Sequence, residues 1–154
     1  MAGDGHLMVE FPAQIGEILQ VTTMTLATCG NHGTPHAAAV YFASDQALAL
    51  YFFSDPHSLH GQHLAQNQQA AIVISPECHG WQDIHGLQMH GKASLVPQGP
   101  EWEAGWRAYC AKFPFVTQLK ALVARNALYR FLPTWLRLVD NRQGFGYKQE
   151  WELS

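Results

Sequence analysis

The stretch SDPHSLHGQHLAQN, residues 54–67, carries histidines at 57, 60 and 63. Imidazoles repeated every three residues could do two kinds of chemistry. They could hold a metal from one helix face, or sit at a helix start that binds phosphate, where unpaired amides and partial positive charge attract anions. Three-residue steps turn a helix by about 300°, so the rings would spread over roughly 120° of its surface. Two neighbours could share a metal; three would strain to converge. Asp55 followed by Pro56 is one possible cap, since proline suits the first helical position, and it would put all three histidines on the helix. No cysteine or carboxylate stands at a familiar zinc spacing, and neither HExxH nor paired CxxC occurs.

Other chemistries are excluded by absence. The chain has no Ser-His-Asp set, nucleophile elbow, phosphate P-loop or GxGxxG, so nucleophilic hydrolysis and nucleoside triphosphate chemistry have no support. Cys29, Cys78 and Cys110 are odd in number and far apart, which fits buried reduced thiols rather than a disulfide framework or redox pair.

Charge narrows the partners. All nine Lys and Arg residues lie from Lys92 onward, so residues 1–91 carry −7 and the remainder +4, giving −3 in total. A nucleic-acid or membrane binder needs a basic face, and the first 91 residues cannot provide one. The start, MAGDGHLMVEF, has no charged segment followed by an apolar run, and no stretch approaches about 18 apolar residues, so a cytoplasmic location is expected.

The elements that must position any site are legible in the periodicity. With 47 % hydrophobic residues, the 154-residue chain can form one domain with its own core. Residues 12–20 suggest a short amphipathic helix behind Pro12. Residues 22–28 alternate as a half-buried strand, and 36–42 follow after a Gly/Pro break as the second arm of a hairpin. Residues 47–53 are near-continuously apolar and predict a central strand; 54–67 form a turn and short helix, and 70–75 a fourth strand. Residues 84–96 form a long strand that Gly86 and Gly91 suit to a bulge at a barrel corner. Strands this dense close most naturally into a barrel. Residues 100–114 place Trp102, Trp106, Tyr109, Cys110 and Phe113 on a helix ended by Pro114, an aromatic stripe of the kind that fills cores or subunit contacts. A second helix continues from FVTQLKALVAR. LYRFL, WLRLVD and YKQEWEL are closing strands, the last pair joined by the glycine turn NRQGFG. The expected division is a core barrel over 22–96, a helical insertion over 100–125 and closing strands over 128–153.

TLATCGNHGTPHAAAVYF, LYFFSDPHSLHGQHLAQNQQAAIVI and IHGLQMHGKASLV, in this order and spacing over residues 23–96, resemble the flavin-binding split barrels of the pyridoxamine 5′-phosphate oxidase type. KFPFV and QGFGYKQEW are similar to the small uncharacterised YhbP-like branch of that superfamily. The resemblance implies a mainly β fold, a Greek-key split barrel of six or more antiparallel strands with added helices. It also implies a homodimer with FMN in grooves between the two barrels. The strand at 36–41, with His36, Ala37, Ala38, Ala39 and Val40, would lie along the isoalloxazine ring, and the turn at 53–60, with Phe53, Ser54, Ser58, Leu59 and His60, would hold the phosphate. Hydride or electron transfer would then belong to the flavin, with the protein orienting it and excluding water. On this reading Ser58 caps the helix and His57 lies outside it, which dissolves the histidine triad.

One departure stands out. The family has Ser-Arg-Lys at the helix start, with both cations on the phosphate, where this chain has Ser58, Leu59 and His60. One imidazole, partly charged near neutrality, replaces two permanent cations, and Asp55 adds repulsion. Lys148 or Arg137 could supply charge across a dimer. His63 is equally a solvated helix residue, His60 a simply exposed one, and His36 a turn-end histidine. Two alternatives stay open beside a flavin-dependent oxidoreductase: a ligand-binding or structural dimer that has lost flavin, and a haem-binding relative. His79, His85 and His90 are the further histidines for haem, although His85 and His90 point to opposite faces of an unbulged strand.

Overall fold

Phe42 alone separates the strand Pro35–Tyr41 (β2) from the two-residue strand Ala43–Ser44 (β3). These strands stand at opposite ends of one antiparallel sheet, so the sheet must curl until its ends meet. The computed structural model describes residues 10–153. The other strands are β1 (Thr23–Cys29), β4 (Leu50–Ser54), β5 (Gln69–Ile74), β6 (His85–Leu95), β7 (Ala127–Asp140) and β8 (Lys148–Glu152). They run in the order β2-β1-β5-β6-β7-β4-β3, with β8 on β7. The result is the expected mainly β barrel with four helices: α1 (Ala13–Ile18), α2 (Leu59–Gln66), α3 (Pro100–Lys112) and α4 (Lys120–Arg125).

The hydrophobic alternation explains the core. Met24 and Leu26 of β1, Ile72 and Ile74 of β5, Leu87 and Met89 of β6, and Leu136 and Leu138 of β7 all face inward and are almost fully buried. Leu50 and Phe52 of β4 and Phe131 of β7 join them, with Phe42 at the closure.

Four expectations are corrected. The apolar run at 47–53 is not a central strand: β4 lies between β7 and the short β3, near one end of the sheet. It is apolar on both faces because α3 covers the outer one; a Cβ on Gly105 would stand 2.6 Å from the Tyr51 ring. Residues 47–49 belong to a turn instead, in which Asp45 Oδ1 accepts the Ala47 and Ala49 amides (2.9 Å each) and Leu48 adopts φ 67°. The helix read from FVTQLKALVAR is broken into a 3₁₀ segment, Pro114–Gln118, and the short α4.

LYRFL and WLRLVD are one strand, β7, running through Pro133. The same edge of β7 pairs with β4 over 127–131 and with β8 over 135–139, and Pro133 falls in the gap, where no N–H is needed. On the other edge the register shifts between His90 and Gly91. The extra residue of that bulge is Thr134 of β7, not a residue of β6, and Gly91 pairs with Pro133 beside it. Its place there is steric, since a Cβ would meet the Leu132 carbonyl oxygen at 2.2 Å.

The helix α3 has Pro100 at its start, Glu101 and Glu103 in its first turn and Lys112 in its last, all matched to the helix dipole. No helix among the described residues is long and apolar enough to cross a membrane. The leaderless start read at residues 1–9 lies outside the described residues.

Candidate functional site

Ser58 settles how α2 begins. Its backbone is extended (φ −61°, ψ 160°), and its Oγ accepts the Gly61 amide at 3.1 Å while donating to the Asp55 carbonyl at 2.6 Å. Asp55 is therefore not the cap. Its carboxylate accepts the His57 amide (2.8 Å) and lies 3.1 Å from His57 Nδ1, and these hydrogen bonds, the backbone one first, hold its pKa below the usual carboxylate value. His57 stands outside the helix with 94 % of its side chain exposed, so the three histidines do not form one helical face. Among the described residues no group of three His, Cys, Asp or Glu side chains is arranged to hold a metal.

A different histidine group forms instead. His36 on β2 stacks on His60 at 6.3 Å between ring centroids and meets His63 edge-on at 6.1 Å. His63 is half-buried rather than solvated: its Nδ1 lies 3.0 Å from Oγ1 of the buried Thr28. Asn67 Nδ2 also donates to the Cys29 carbonyl, and Gln66 Oε1 accepts the Asn31 amide, so α2 is fastened along the β1–β2 hairpin. His60 turns inward, 9 % exposed, with Nε2 paired to Ser54 Oγ. Burial lowers its pKa, and the nearby His36 and His63 rings lower it further. Its surroundings thus disfavour the charged form of His60 and hold the ring by Ser54 and His36.

A pH dependence follows. Because the folded-state pKa of His60 lies below the ordinary 6.5, the folded protein binds fewer protons than the unfolded chain just below that pH. The stability this group supports is present above pH 6.5 and is lost as pH falls through the lowered value. In urea titrations between pH 7.5 and 5, the decline is expected to flatten in His60→Gln; an equal decline in both proteins would assign it elsewhere.

The other residues marked in the sequence divide between two faces. On β2, Ala37 and Ala39 are exposed, whereas His36, Ala38 and Val40 alternate inward, so the three alanines do not share one surface. Phe53 and Ser54 part in the same way. Ser54 reaches His60, while Phe53 packs edge-on against Trp102, Trp106 and Tyr109 at 6.4, 5.8 and 5.1 Å, which removes its side chain from the α2 site. Leu59 projects outward, 49 % exposed. Lys148 is exposed on β8 opposite Val139. Arg137 is engaged by Glu150, by Gln88 and by the Trp135 ring.

The further histidines do not gather. His85 is buried with Nδ1 on the Asp83 carbonyl (2.7 Å), His90 is exposed and stacked on Trp135 at 4.5 Å, and His79 is exposed. Thr28 is the site residue that sequence reading passed over, and His63, weighed there as a metal ligand or a solvated helix residue, is its partner. The alternation Met24-Leu26-Thr28, which puts Thr28 on the buried face, was the available signal.

Known proteins share this architecture. Among solved structures, a conserved hypothetical protein from Mycobacterium tuberculosis superposes with a TM-score of 0.73 at 18 % identity, covering 88 % of each chain. A heme storage protein from Vibrio cholerae gives a TM-score of 0.69 at 19 % identity, over 81 % of this chain and 91 % of the other. Among curated sequences, a UPF0306 protein of Serratia proteamaculans is 27 % identical over 139 residues, 90 % of this chain and 92 % of its own. The family model described as pyridoxamine 5′-phosphate oxidase matches residues 11–140, a span that takes in β2, the Ser54–Ser58 turn and the whole histidine group. By that match over most of its length, the chain belongs to the pyridoxamine 5′-phosphate oxidase family.

Proposed function

We propose that this protein is an FMN-binding, flavin-dependent oxidoreductase acting as a cytoplasmic homodimer on a small molecule. The observation that carries the reading is the edge strand β2 beside the start of α2. On its inner face stands the half-buried His36, stacked on His60, and on its outer face Ala37 and Ala39 are small enough for a flat ring to approach the backbone. These residues fit the ring of a flavin. The phosphate end is served by the first turn of α2 and by the exposed His57, not by an Arg-Lys pair. A bound flavin would supply hydride or electron transfer; this chain would orient it and keep water away. A second copy seated on the open face of β2 would close the groove and could bring in Lys148.

The visible spectrum of the purified protein, followed by titration with FMN, tests this reading, and no binding at high micromolar FMN would discard it. Restoring a cation gives a sharper result. Leu59→Arg, at an exposed position in the first helical turn, is expected to tighten FMN about tenfold, the equivalent of about 1.4 kcal/mol. An unchanged dissociation constant would place the phosphate elsewhere.

A second reading is haem binding. It is favoured by His36, whose ring nitrogens carry no hydrogen bond among the described residues, and by fold relatives described as heme storage and heme-binding proteins. A Soret band on titration with haemin, lost in His36→Ala, would promote it over flavin.

A further inference from the structure

Behind the wall formed by β4 and β7, on the side that Phe53 faces, lies a cavity of about 500 Å³ between α3, α4 and the start of β7. Its size is that of a small-molecule pocket. The aromatic stripe of α3 divides here according to depth. Tyr109 and Phe113 are buried in a small cluster with Val116, whereas Trp102 and Trp106, one turn apart, are only partly buried and line the cavity. Their indoles stack at 5.7 Å with 22° between planes. Val96 and Leu128 form the floor and Val123 of α4 the opposite wall.

Lys120 is the single charged side chain lining the cavity among the described residues, and no acid there is paired with it. Of the two acids that flank Trp102, Glu101 is engaged by Arg130, and neither Glu101 nor Glu103 lines the space. A mainly apolar, indole-walled space, with Gln98 and Asn126 as its other polar lining and one ammonium unmatched by an acid, selects a ligand with a planar apolar body and one negative charge.

We infer that this cavity binds an aromatic carboxylate, with the ring system against Trp102 and Trp106 and the carboxylate toward Lys120. The site is separate from the histidine group: Phe53 and Ser54, adjacent in sequence, face the two sites from opposite sides of the same wall. The inference does not depend on flavin binding.

Isothermal titration of the full chain with 2-naphthoate, and with the uncharged 2-naphthamide, tests it. The wild type is expected to bind the naphthoate with a dissociation constant below about 1 mM. Lys120→Met should weaken the naphthoate about tenfold and leave the amide unchanged. Ala124→Trp, which fills the cavity from α4, should abolish both while leaving FMN titration and far-ultraviolet dichroism as in the wild type. Nuclear Overhauser transfer from bound naphthoate to indole protons needs no variant and is expected for Trp102 and Trp106. No binding at millimolar naphthoate, binding that survives Ala124→Trp, or equal naphthoate affinity in Lys120→Met would each overturn the inference.

Discussion

Phe42→Ala is expected to destabilise the protein by about 3–5 kcal/mol, the loss that follows removal of a large, fully buried aromatic side chain. The position magnifies the effect. Phe42 alone joins the two ends of the sheet, and its amide donates to the Thr22 carbonyl at 3.3 Å, so a void here opens the seam of the barrel. Lys112 adds to the cost. Its Nζ sits 3.7 Å from the centre of the Phe42 ring while donating to the carbonyls of Leu19 (2.9 Å) and Val21 (2.7 Å), tying the end of α3 to the chain before β1. Urea denaturation of the two proteins measures the difference. A loss below about 1 kcal/mol would mean that the closure rests on other contacts.

Gly91→Ala is expected to be nearly as damaging, at about 3 kcal/mol, the upper end of the range for forcing extra volume into a packed site. The added methyl would meet backbone: the Leu132 carbonyl oxygen at 2.2 Å and its carbon at 2.9 Å, with the Phe131 ring also at 2.9 Å. A carbonyl held in the β6–β7 ladder cannot rotate away as a side chain can. Gly33, on an exposed turn with no neighbour within 4 Å, is the contrast; there alanine meets no atom, and only the φ of 78° opposes it. Thermal unfolding of Gly91→Ala should therefore show the larger fall, and equal melting temperatures for the two variants would contradict the steric account.

How much of this was legible in the residues differs from element to element. The alternation of Met24, Leu26 and Thr28, and of Leu87 and Met89, determined which faces are buried, because a strand has only two. Local capping signals left the start of α2 open between Asp55 and Ser58, and the family resemblance pointed to Ser58, which the structure shows as the cap. The bulge near Gly91 was visible as a glycine inside a strand pattern, but its extra residue was not: which strand carries it depends on how β6 and β7 are aligned.

Pairing across long sequence separations decided the rest. An apolar run such as ALALYFF looks alike whether a strand is flanked by others or covered by a helix, so only the packing of Gly105 against Tyr51 explains β4. Pro133 looks like a strand break until β4 and β8 are seen to leave a gap beside it. His63 belongs with Thr28, 35 residues earlier, and His36 with His60, contacts made only once α2 lies across the β1–β2 hairpin. The sequence by itself therefore determined the family and the buried faces of strands such as β1 and β6, which follow from short motifs and local periodicity. Tertiary structure alone decided that His60 is buried, that Phe53 and Ser54 face different sites, and that Trp102 and Trp106 line a cavity, because each depends on which distant surfaces exclude water from the same place.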